Sequence, residues 1–97
     1  MAMSKQQYRT EMGIIGDILR VIVNGGRKGV IVSKLSLKAN VSYYAAIDKC
    51  EKLISAGLVK LVKNDKNRVY IATESGIKFF QEFQNFQFIT GTLKLRF

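Results

Sequence analysis

The stretch KLVKNDKNRVYI, Lys60 to Ile71, carries Lys60, Lys63, Lys66 and Arg68 against a single anion, Asp65. A solvated turn needs polar residues, but it does not need them to be basic. Cations at this spacing can neutralise a polyanion, and an arginine such as Arg68 suits a narrow minor groove. The excess is not confined to this stretch. Between Arg27 and Arg68 lie ten Lys or Arg residues and three acids, Asp48, Glu51 and Asp65. Arg27, Lys28, Lys34 and Lys38 form an upstream group, and Lys49 and Lys52 stand one helical turn apart. Polar partners accompany them. Ser42 can hold an anion together with helix-start amides. Tyr43 and Tyr44 can donate to phosphate or pack on a thymine methyl, and Asn64 and Asn67 can hydrogen-bond. The blander reading is a scatter of solvated charge, with Tyr44 packed against a neighbouring helix.

Other chemistries find little to work with. The chain has no histidine, so the commonest general base and metal ligand is missing. Cys50 is the only cysteine and has no histidine to activate it. Gly25-Gly26-x-x-Gly29 lacks the Gly-Lys-Ser/Thr end of a phosphate loop. An enzyme is not expected, nor a metal, a cofactor or a small-molecule ligand. The N-terminus MAMSKQQYRTEM is polar and predicts no signal peptide. No apolar run approaches the roughly 18 to 20 residues of a membrane span. With a lone cysteine, this points to the cytoplasm. The 97 residues, 47% of them hydrophobic, allow one compact domain over 1–97, and the net charge of +9 favours a polyanion partner.

The elements that must position these residues follow from periodicity. Residues 1–7 read as a frayed leader. From Tyr8 to Val23, Ile14, Ile15, Ile18, Leu19, Val21 and Ile22 recur at helical spacing, and Gly25-Gly26 ends the helix. Val30 to Ala39 predicts a second helix, although the β-branched run Val30-Ile31-Val32 also suits a short strand. Asn40-Val41 is a tight turn. Ser42 caps a third helix from Tyr43 to about Ala56, with Ala46, Ile47, Cys50, Leu53 and Ile54 inward. Cys50 on that stripe reads as a buried small hydrophobe rather than an interchain bridge. Leu58–Lys63 and Arg68–Ala72 predict a hairpin around Asn64-Asp65-Lys66-Asn67. Thr73 caps a fourth helix from Glu74 to about Ile89. The tail GTLKLRF suggests no element.

The predicted class is α+β, a winged helix-turn-helix in the order α-α-α-β-β-α, with a core over 8–73 and a terminal helix over 74–90. The run ANVSYYAAIDKCEKLISAGLV, the strand pair and YIATESGIKFF resemble the archaeal small winged-helix DNA-binding proteins, cellular or viral. The shared elements are Ala39-Asn40-Val41-Ser42-Tyr43, Gly57-Leu58 and Thr73-Glu74-Ser75-Gly76, within roughly residues 9–88. The resemblance implies dimerisation through the last helix. It also implies a nucleoid-associated protein, or one of the host cytoplasm for a viral member.

The expected function is double-stranded DNA binding by a transcriptional regulator or architectural protein. The third helix enters the major groove and the basic wing meets the backbone or the minor groove. That helix offers few bidentate base readers, so modest specificity is expected. Five phenylalanines within residues 79–88 exceed one core face. Ile77, Phe79, Phe80, Phe83 and Phe86 are therefore the expected seam of a homodimer. The main alternative is a protein-interaction winged helix without DNA binding. Peripheral membrane attachment through FQFITGTLKLRF has weaker support.

Overall fold

The computed structural model describes residues 9–92. The elements are α1 (Glu11–Asn24), a 3-10 turn (Gly26–Lys28), β1 (Val30–Ile31), α2 (Val32–Ala39), α3 (Tyr43–Ser55), β2 (Val59–Lys63), β3 (Arg68–Ala72) and α4 (Glu74–Thr92). The expected order is present, with one addition. Val30-Ile31 pairs antiparallel with Val69-Tyr70, so the sheet has three strands in the order β1-β3-β2. The strand alternative for this β-branched run is the one realised, and α2 starts two residues later than Val30. The frayed leader over 1–7 lies outside the described residues, as does most of the tail.

α1 begins at Glu11 rather than Tyr8 because Thr10 caps it, its hydroxyl accepting from the Gly13 N–H at 2.9 Å. Ile18, Leu19 and Ile22 are fully buried. Each such side chain is worth about 1.5–3 kcal/mol relative to an exposed one. The core adds Val30, Val32, Leu35 and Ala39 from β1 and α2, and Ala46, Cys50 and Leu53 from α3. Val59, Tyr70 and Phe80 complete it. Cys50 is completely buried, as its place on the apolar stripe implies, and burial pushes its thiol up to about 12.

α2 ends at Asn40, which takes the left-handed conformation (φ 57°). The Val41 N–H donates to the Ser36 carbonyl at 3.1 Å, and the Ser36 hydroxyl donates to the Val41 carbonyl at 2.7 Å. Arg9 closes this helix end from outside. Its guanidinium donates to the carbonyls of Asn40 (2.8 Å) and Ala39 (2.9 Å) and to Asp17 of α1 (2.7 Å). The turn between α2 and α3 is thereby tied to α1.

α4 is seated by Thr73. Its hydroxyl accepts from the Gly76 N–H at 3.0 Å and donates to the Gly57 carbonyl at 2.7 Å. Gly76 is buried because the chain passes so close: a Cβ there would lie 2.0 Å from the Leu58 carbonyl oxygen. Farther along, the Phe83 ring lies over Gly16 of α1, where a Cβ would be 2.5 Å from Cε2. The first half of α4 therefore belongs to the core of the domain.

Candidate nucleic-acid interface

In β2 and β3 the side chains alternate between two faces. Val59, Leu61 and Tyr70 turn toward the core, and Leu61 lies opposite Tyr70 in the register. Two residues farther toward the turn, Lys63 lies directly opposite Arg68, so both share the core-facing side of the sheet beyond the edge of the core. Like charges directly opposite each other destabilise a strand pair. No carboxylate bridges these two: among the described residues neither cation has an ion-pair partner. Arg68 also reaches back to Tyr70. Burial raises the Tyr70 phenol's pKa, and the Arg68 guanidinium partly opposes that effect. The buried Tyr70 hydroxyl has no hydrogen bond of ordinary geometry among the described residues.

The turn is built by Asn64. Its Oδ1 accepts from the backbone N–H groups of Asn67 (2.9 Å) and Lys66 (3.3 Å), and its own N–H donates to the Asn67 carbonyl at 3.1 Å. The side-chain oxygen of Asn64 is committed to this scaffold, which leaves its amide N–H groups as donors to a partner. Lys66 and Asn67 stand exposed at the tip.

α3 starts at Ser42, whose hydroxyl accepts from the Ala45 N–H at 3.1 Å. The remaining first-turn N–H groups are left for an anion. Tyr43 and Tyr44 follow, their rings edge to face at 5.5 Å. Tyr44 is 80% exposed, so the reading in which it packs against the second helix is overturned. The outward stripe of α3 is Tyr44, Asp48, Glu51 and Ser55, all exposed.

Lys49 and Lys52 do not join this stripe. Both pair with Glu11 at the start of α1: Lys49 at 3.6 Å, Lys52 in direct hydrogen-bonding contact. The Lys52 hydrogen bond, then the Lys49 and Lys52 charges, holds the Glu11 carboxyl below its usual range. Glu11 in turn raises the Lys52 pKa. Lys52 also lines a groove of about 180 Å³ with Met12, Ile15, Phe79 and Phe83, between α1 and α4. Sequence spacing placed both lysines on the third helix but gave no sign of Glu11, 41 residues from Lys52. Arg9 was likewise missed as the clamp on the turn. The outward carboxylate stripe was missed too, although the helical period carries its signal: Tyr44, Asp48, Glu51 and Ser55 are spaced by four, three and four.

Lys28, Lys34 and Lys38 gather elsewhere, around a cavity between α1 and α2. Arg27 lies in the 3-10 turn beside a smaller pocket with Ile71 and Ile77. Of the apolar residues expected in a dimer seam, Phe80 is buried in its own domain and is not available to a partner. Phe83 is half-buried over Gly16 and stacks on Phe79 at 6.4 Å. Ile77, Phe79 and Phe86 are exposed, and so are Phe88 and Ile89, which the sequence reading did not include. Among the described residues no group of His, Cys, Asp and Glu could hold a metal ion, and no helix is long and apolar enough to cross a membrane.

Solved structures share this architecture. Sso10a-2, a DNA-binding protein from Sulfolobus solfataricus, superposes with a TM-score of 0.75 at 22% identity, over 89% of this chain and 86% of its own. AF1382 from Archaeoglobus fulgidus gives 0.72 at 18% identity, over 84% and 90%. A comparison with curated proteins found no match. The family profile for the winged helix-turn-helix matches residues 8–90, and the chain belongs to that family.

Proposed function

We propose that the protein binds double-stranded DNA without catalysing a reaction, as a transcriptional regulator or an architectural protein. α3 lies in the major groove and the β2–β3 wing meets the backbone or the minor groove. The observation that carries this reading is the opposed pair Lys63 and Arg68, with Lys66 in the turn between them. A wing that served only as a solvated loop would lose stability by this arrangement, whereas a duplex supplies the missing counter-charge. The DNA-binding Sulfolobus protein of the same fold supports it.

In this reading Ser42 and the first amides of α3 hold a phosphate. Tyr43 and Tyr44 reach the backbone or a thymine methyl, and Asn64 and Asn67 donate from the wing. Asp48 and Glu51 repel phosphates. In the groove they can accept from a cytosine amino group. Arg27, Lys28, Lys34 and Lys38 add positive potential on the α2 side that draws a duplex in, without contacting its backbone. Lys49 and Lys52, held by Glu11, serve the α1–α3 contact instead.

A second copy covers the outer face of α4, where Ile77, Phe79, Phe86, Phe88 and Ile89 are exposed on one terminal helix. The protein then acts in the cytoplasm as a homodimer on two half-sites about 34 Å apart. Gel shifts with random duplex test the DNA reading. Wild-type protein retards the duplex, and the variant with Lys63, Lys66 and Arg68 changed to Ala does not. No shift by either protein would instead support a protein-interaction module. A monomer in sedimentation at micromolar concentration would remove the dimer.

A further inference from the structure

The cavity between α1 and α2 has a volume of about 270 Å³. Lys28, Lys34 and Lys38 line it together with Asn24, over an apolar floor that includes Val21 and Val30. None of the seven Asp and Glu residues of the chain lines it, and neither does any residue of α3 or of the wing turn. Among the described residues the side chains of these three lysines form no ion pair and no hydrogen bond. Every charged group at the rim is therefore a cation, and the three repel one another. The C-terminal end of α1 adds only about half a negative charge. Lys34 and Lys38 stand one turn apart on α2, so their ammonium groups reach the same space.

We propose that this cavity binds a small phosphorylated organic anion. The phosphoryl oxygens are held by the lysine ammonium groups and the Asn24 amide, and the organic part lies on the valines. The volume is just below the usual range for ligand pockets, about 300–1,000 Å³, which suits a compact ligand. This departs from the expectation that the protein takes no small molecule, and it stands whether or not α3 enters DNA. A phosphoryl group could also come from a duplex backbone, so the experiment separates the two sources.

The full chain, ¹⁵N-labelled, is titrated with pyrophosphate at constant ionic strength. Saturable shifts of the Asn24, Gly29 and Val30 amides are expected. They should weaken at least tenfold in Lys34→Gln/Lys38→Gln and persist in the variant with Lys63, Lys66 and Arg68 changed to Ala. Shifts that rise linearly without saturation, that centre on the wing, or that survive in the Lys34/Lys38 variant would overturn the site. In a second arm, duplex is added to the pyrophosphate-saturated protein. Retention of the pyrophosphate shifts supports a free-ligand site, and their displacement overturns it in favour of the nucleic-acid backbone.

Discussion

Replacing Lys63, Lys66 and Arg68 by alanine removes three cations that have no ion-pair partner among the described residues. Each is free to neutralise one phosphate. A neutralised phosphate contributes about −0.9 to the slope of log K against log salt, so three contribute about −2.7. Over a fourfold rise, from about 50 to 200 mM salt, the wild type should lose about 40-fold more affinity than the variant. The folded domain should not suffer. The opposed pair at the base of the turn is a like-charge contact, and relieving it is worth a few tenths of a kcal/mol in the stabilising direction. The assay is fluorescence anisotropy with a random labelled duplex at several salt concentrations, beside a thermal melt of each protein. Lys49→Ala/Lys52→Ala is the control, because both lysines pair with Glu11 and Lys49 also with Asp48. Its slope should stay within about one phosphate of the wild type. Equal slopes for the wing variant and the wild type, with both folded, would refute the placement of the wing on DNA.

Other outcomes follow from single contacts. Gly76→Ala should destabilise the domain by about 2 kcal/mol or more, because the new methyl meets backbone at Leu58 that no side-chain rotation can clear. For a domain of this size that lowers Tm by about 8–16 °C, readable by circular dichroism. Cys50 should resist alkylation in the native protein and react once denaturant is added. With its pKa near 12, only about one thiol in 10,000 is ionised at pH 8, and burial blocks access as well. Glu11→Gln should lower stability at neutral pH. The Glu11 carboxyl titrates lower when folded, so its contribution is present above the ordinary carboxylate range and disappears as pH falls through the folded value. Urea melts of variant and wild type should therefore converge in acid. The raised Lys52 pKa acts at the other end: its share is complete below 10.5 and disappears as pH climbs through the folded value.

Much of this architecture was readable in the chain because the local signals agree. Ser42, Thr73, Asn40 and the apolar stripe of α3 each specify a cap, a turn or a buried face without help from distant residues. β1 was ambiguous because a two-residue bridge has no period, and only the register with Val69 and Tyr70 makes it a strand. The start of α1 shifted to Glu11 because a single hydroxyl at Thr10 decided it. Strand alternation and turn residues located the wing and charge marked its tip, yet its strongest feature, Lys63 opposite Arg68, depends on a pairing register that composition does not contain. Lys49 and Lys52 show the converse. Their helical position was right, but a carboxylate from another element claims them. Phe80 and Phe83 were legible as apolar and not as inward, since α4 carries phenylalanine on several sides.

Gly16 and Asp17 are neighbours on α1 with different clients. The first receives the Phe83 ring of α4, and the second holds Arg9, which grips the last carbonyls of α2. One helix thus carries both the helix proposed to meet a second copy and the corner that aims α3, the helix proposed to enter the groove. Such a coupling leaves little play between the two. A dimer built this way would measure distance along a duplex like a fixed caliper, and inserting or deleting base pairs between its two targets would be poorly tolerated.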